Sequence, residues 1–101
     1  MSFVQTITVH TKNQTALAEH LAAWHAEQCG IAPGYQGARL LADCDRPEEF
    51  TIVASFASEE EAAVNNDRPE TLAWAEGLRK IASGDVRFID QCILLETLPR
   101  H

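Results

Sequence analysis

Basic residues are scarce in this chain: eight Lys and Arg stand against 15 Asp and Glu in 101 residues, a net charge of −7. The eight are scattered rather than clustered, which excludes nucleic acid as an expected partner, because a phosphate backbone needs grouped cations. Cysteines are few and odd in number. Cys29, Cys44 and Cys92 form no C-x-x-C pair, which argues against a disulfide framework or a structural zinc centre, and they read as buried or idle thiols. His25 and Cys29, four residues apart, could share a helix face, but two ligands do not make a metal site. No stretch approaches the ~20 apolar residues of a membrane span. The opening Met1-Ser2-Phe3-Val4-Gln5 has no basic segment and runs straight into an alternating pattern, so neither a signal peptide nor a membrane is expected, and a cytoplasmic protein is. Glycine-rich phosphate loops are also missing. No bound metal, haem or flavin is therefore expected.

What remains is an ordinary globular composition, 46% hydrophobic and 23% charged, in a length that suits one domain spanning residues 1–101. Such a chain buries roughly 60–70% of its unfolded surface. Two amphipathic helical segments, Asn13 to Gln28 and Asp67 to Ala82, are interleaved with extended segments at Phe3 to Val9, Tyr35 to Ala42, Phe50 to Phe56 and Val86 to Leu95. The order is βαββαβ, which predicts an α+β, ferredoxin-like domain with an antiparallel sheet. Helices on one face leave the other bare. Both faces of the strands carry apolar residues, so a homodimer closing the bare faces into an α+β barrel is the expected remedy.

Local signals refine the elements. Phe3, Gln5, Ile7 and Val9 alternate with Val4, Thr6, Thr8 and His10, which puts the polar Gln5 among an apolar set. Asn13 or Thr15 can cap the first helix, on which Leu17, Leu21, Trp24 and Gln28 form one narrow stripe, and Gly30 reads as its left-handed stop. His20 flanks that stripe one turn before Trp24. Gly37 suggests a bulge in the second strand. Ser58 with Glu61, and Asp67 with Glu70, read as two capping boxes, so a short helix should break at Asn65-Asn66 before a longer one begins with Pro69 in its first turn. Gly77, beside Trp74, suggests the close approach of another group.

The turn Pro33-Gly34-Tyr35, the passage Phe56-Ala57-Ser58-Glu59-Glu60-Glu61 and the stretch Asn65-Asn66-Asp67-Arg68-Pro69-Glu70-Thr71-Leu72-Ala73-Trp74 resemble the antibiotic biosynthesis monooxygenase family over nearly the whole chain. The resemblance implies a dimeric α+β barrel and cofactor-independent oxygenation of a phenolic, quinone-like or other small aromatic compound by dioxygen. It carries the family's Asn onto Asn65 or Asn66, its aromatic position onto the neighbourhood of Trp74, and its last-strand Arg onto Arg87. The Trp that follows the family's Asn has no counterpart here. Haem degradation, found in a sister group, is not expected, because the second helix offers no axial His.

The residues themselves allow the same chemistry. Oxygenation without a cofactor needs an electron-rich anion in a dry apolar cavity with hydrogen-bond donors aimed at its oxygen. Trp24, Trp74, Phe50 and Phe56 could line such a cavity or simply pack the core. Asn65 and Asn66 could donate to a substrate oxygen, or end one helix and start the next through left-handed geometry and side-chain capping. Arg87, or Arg39, could stabilise an anion or lie exposed on its strand. His20 could act as a base at a pocket mouth or remain a solvated flank. The expected function is thus a cofactor-independent monooxygenase with Asn65, Asn66, Trp74 and Arg87 as catalytic candidates and His20, Trp24, Phe50 and Phe56 as binding candidates. A non-catalytic small-molecule-binding or interaction module on the same barrel is the alternative.

Overall fold

The computed structural model describes residues 2–97. Its elements are β1 Phe3–His10, α1 Gln14–Gln28, β2 Tyr35–Ala42, β3 Glu49–Phe56, α2 Glu59–Asn66, α3 Pro69–Ile81 and β4 Arg87–Cys92. The four strands make one antiparallel sheet in the order β2-β3-β1-β4, the ferredoxin-like topology that the βαββαβ pattern predicts.

Register decides which side chains meet the helices. Phe3, Gln5, Ile7 and Val9 stand opposite Phe56, Ala54, Ile52 and Phe50 on β3, and Phe3, Gln5 and Ile7 stand opposite Cys92, Asp90 and Phe88 on β4. Because alternate residues share a face, these positions form one continuous surface. Ile7, Val9, Phe50 and Ile52 join Leu17 of α1 and Leu78 of α3 in the main core, each at most 3% exposed. Each such aliphatic side chain contributes about 1.5–3 kcal/mol through removal from water. A second cluster of Phe3, Phe56 and Ala62 lies at the other end of the sheet, under α2 and Tyr35. The register shift between Tyr35 and Gly37 is the bulge that Gly37 signals, and Gly37 adopts φ 119°. The extra residue returns Tyr35 to the helix-covered face with Ala38 and Leu40.

The helix ends follow their caps. Asn13 Oδ1 accepts from the Ala16 amide at 3.0 Å, Ser58 Oγ accepts from the Glu61 amide at 3.2 Å, and Gly30 takes φ 84° beyond α1. Gly34, at φ 68°, lets the chain pass close over α2, since a Cβ there would collide with the Glu61 side chain.

Four details differ from the sequence expectation. Asp67 does not cap α3: it closes α2 in right-handed geometry, while Arg68 precedes Pro69 without a side-chain cap. Arg68 is already extended, as a residue before proline prefers. Asn65 and Asn66 both lie within α2 and neither is left-handed. β4 ends at Cys92, short of Leu95, and Leu94 and Leu95 are 86% and 82% exposed. All three thiols are unpaired and exposed rather than buried. No helix among the described residues is long and apolar enough to cross a membrane.

Candidate functional site

Between the sheet and the helices two adjacent spaces share Gln5, Thr71 and Trp74 as walls. The inner one is a niche of about 20 Å³ enclosed by Trp24, Tyr35, Phe56, Asn65, Ile52 and their neighbours. The outer recess, about 290 Å³, is lined by Asn66, Leu72, Arg79, Phe88 and Asp90 as well. A niche of that size holds about one water molecule or one oxygen atom.

The aromatic walls are fixed by contacts that begin in the helices. Trp24, buried to 9% exposure, meets Trp74 at 5.7 Å between ring centroids, and Tyr35 meets Phe56 edge-on at 6.0 Å. Trp74 is held on its outer side by His20, whose ring stacks on it at 5.3 Å with only 6° between planes. Their backbones and side chains are linked reciprocally: His20 Nε2 donates to the Trp74 carbonyl at 2.8 Å, and Trp74 Nε1 donates to the His20 carbonyl at 3.2 Å. A carbonyl can only accept, so the His20 proton is on Nε2. This ring is the group that Gly77 admits, since a Cβ on Gly77 would come within 2.5 Å of His20 Cε1. The close approach expected beside Trp74 is therefore made by the protein and not by a ligand.

Asn65 is the buried polar residue of the niche, at 2% exposure. Its Oδ1 accepts from Arg68 Nη1 at 3.2 Å and from Thr71 Oγ1 at 3.1 Å, and Arg68 is anchored in turn by Glu70 at 2.6 Å. With the oxygen occupied, the amide has its two N–H donors left to offer. Gln5 faces the same spaces from β1, and its Nε2 donates to Asp90 Oδ1 at 3.3 Å. Asp90 is the one carboxylate among the described residues lining either space. Tyr35 joins the wall to the surface through a 2.8 Å hydrogen bond between its hydroxyl and His25 Nδ1. Burial, and secondarily the nearby Cys29, raises the Tyr35 pKa above 10.0.

The structure thus brings Trp24, Phe56, Asn65 and Trp74 around the niche and Asn66 to the recess. The other expected residues lie elsewhere. Phe50 belongs to the main core, and His20 lines a separate groove behind Trp74. Arg87, opposite Thr8 in the register, is exposed on the face of the sheet away from the helices. The reason is parity: Arg87 is one residue out of phase with Phe88 and Asp90. Sequence reasoning missed Tyr35, Thr71, Arg68 and Asp90 as members of the site. Parity with Gln5 could have found Asp90, and the bulge at Gly37 could have found Tyr35.

Neither a family model nor a curated relative matches the sequence. Solved structures do. SnoaB of Streptomyces nogalater, a cofactor-independent oxygenase solved as a variant with one Asn replaced by Ala, superposes with a TM-score of 0.77 at 18% identity, covering 98% of each chain. The chain shares its fold. A Mycobacterium tuberculosis protein superposes equally well, TM-score 0.77 at 14% identity, over 97% of this chain and 100% of its own. A Deinococcus radiodurans protein, provisionally described as an antibiotic biosynthesis monooxygenase, does so at 12% identity and a TM-score of 0.77, over 98% and 99%.

Proposed function

We propose that this protein is a member of the antibiotic biosynthesis monooxygenases, a homodimer that oxygenates a small phenolic or quinone-like compound with dioxygen and without a bound cofactor. The observation that carries the reading is the niche itself: an apolar enclosure of Trp24, Trp74, Tyr35 and Phe56 whose buried polar group is an amide with only donors to spare. The oxygenase named among the structural neighbours has the same fold, which supports the reading at the level of architecture.

In this mechanism the recess, walled by Trp74, Leu72 and Phe88, binds the substrate ring, the aromatic niche keeps water from its oxygen, and Asp90 takes the hydroxyl proton at the rim. The Asn65 N–H groups stabilise the resulting oxyanion, where preorganised donors in a dry site are worth most. The electron-rich anion then reduces dioxygen and combines with it. One oxygen atom is kept as a new carbonyl on a ring carbon, and the phenol carbon becomes the second carbonyl. The other oxygen atom leaves as water with the two hydrogens lost from substrate, so no external reductant is required.

Two copies would close their uncovered sheet faces, which carry Val4, Val53, Leu41 and Ile89 by register. The direct test is oxygen uptake with a panel of one- and two-ring phenols by wild type and by Asn65→Asp. That variant keeps an acceptor for Arg68 and Thr71 and replaces the donors with a negative charge. Uptake by wild type that fails in the variant is expected. Tight binding of phenols without uptake would favour a non-catalytic binding module.

A further inference from the structure

Two side-chain amides line these spaces, Gln5 on their shared wall and Asn65 in the niche, and each is held in one orientation by a partner with a single hydrogen-bonding character. Arg68 can only donate, so the Asn65 oxygen must face it at 3.2 Å, and the Thr71 hydroxyl donates to the same oxygen at 3.1 Å. A flipped Asn65 would set its N–H groups against the guanidinium. The Asp90 carboxylate can only accept, so the Gln5 nitrogen must face it at 3.3 Å. What each amide has left differs: only N–H donors on Asn65, but on Gln5 a free Oε1 acceptor beside one remaining N–H. Volume adds a second constraint. The recess of about 290 Å³ lies at the bottom of the range of roughly 300–1,000 Å³ that small-molecule sites occupy, which suits one or two fused rings. The niche of about 20 Å³ suits a single oxygen atom.

We propose that the site recognises a one- or two-ring hydroxy-ketone, with its carbonyl oxygen in the niche on the Asn65 N–H groups and its hydroxyl on the Gln5 side-chain oxygen. Arg68 is a positioning residue that sets the Asn65 amide, and Asp90, which takes the hydroxyl proton at the rim, also sets the Gln5 amide. The assignment rests on the location of the site argued above. It also explains why Gln5 stands in an otherwise apolar strand face, and it joins proton loss at the rim to charge gain in the niche, because conjugation carries the hydroxyl's charge to the carbonyl.

The test is binding, read as quenching of Trp24 and Trp74 fluorescence, with three matched bicyclic probes. 6-Hydroxy-1-tetralone has both groups, 6-methoxy-1-tetralone lacks the hydroxyl donor, and 5,6,7,8-tetrahydro-2-naphthol lacks the carbonyl. Wild type should bind the first roughly tenfold more tightly than either of the others, the discrimination one well-placed hydrogen bond gives. Gln5→Met should erase the preference over the methoxy probe alone. Arg68→Met should erase the preference over the naphthol alone, while Arg68→Lys, which still only donates, should restore it; Arg68→Gln, whose amide can donate or accept, serves the same purpose if Arg68→Met does not fold. Equal affinity of wild type for all three probes, or equal loss for all three in Gln5→Met, would overturn the donor and acceptor assignment while leaving the site in place. No binding of any probe at millimolar concentration would overturn both.

Discussion

Replacing Gly77 by Ala asks whether the His20–Trp74 clasp is rigid. In an exposed helix interior the change stabilises by about 1 kcal/mol. Here the new Cβ would stand 2.5 Å from His20 Cε1 and 3.0 Å from Nε2, closer than carbon atoms approach. The ring cannot swing aside freely, because it is stacked on Trp74 and donates to the Trp74 carbonyl at 2.8 Å. Relief therefore costs about 0.5–1.5 kcal/mol for the hydrogen bond and about 1–3 kcal/mol for the overpacking. Against the helix gain, the expected outcome is a net loss of about 2 kcal/mol. In a His20→Ala background the obstruction is gone, and Gly77→Ala should stabilise by up to about 1 kcal/mol. Urea unfolding followed by circular dichroism on the four proteins of this cycle measures the coupling directly. Stabilisation by Gly77→Ala in the wild-type background would refute the clasp.

Asn65→Leu should lower stability by about 1–3 kcal/mol in thermal or urea unfolding, because Arg68 and Thr71 lose their shared acceptor, whereas Asn65→Asp should fold and fail to bind phenols. Tyr35 is the single tyrosine, so absorbance near 295 nm should report its ionisation above pH 10.0, shifted up by burial and then by Cys29. The folded state favours the neutral phenol: its stabilising contribution is complete below the unfolded value of 10.0 and is lost as pH rises through the folded pKa, which urea midpoints across that window will measure. Sedimentation equilibrium at micromolar concentration should give twice the 11.2 kDa chain mass; a monomer would remove the closed barrel.

Most of the fold was legible because the strands alternate cleanly and the helices carry identifiable ends. Asn13, Ser58, Gly30 and Gly37 each act where a cap, a stop or a bulge was expected. Asp67 misled because its spacing to Glu70 satisfies a capping box, while Pro69 forces the residue before it, Arg68, into the extended start of α3. The end of β4 was overread because Ile93, Leu94 and Leu95 continue the apolar run without pairing within the sheet. The site was half legible. Aromatic residues on the inner stripes of α1 and α3 find the niche by periodicity alone. The polar part depends on side chains far apart in sequence, Gln5 with Asp90 and Asn65 with Thr71, whose meeting only register and helix packing decide. Arg87 shows the opposite limit: a charge on the right strand falls on the other face by one residue.

Oxygen transfer to a substrate held by the recess and the niche is tested most directly by isotopic labelling. Purified protein treated with a chelator would be incubated with a two-ring phenol under ¹⁸O₂, and product mass compared with Asn65→Asp and a protein-free blank. One labelled oxygen atom per product molecule is expected with wild type, with one molecule of dioxygen consumed for each, and only the blank rate with the variant. Product formed by wild type without label, or formed equally by Asn65→Asp, would contradict it.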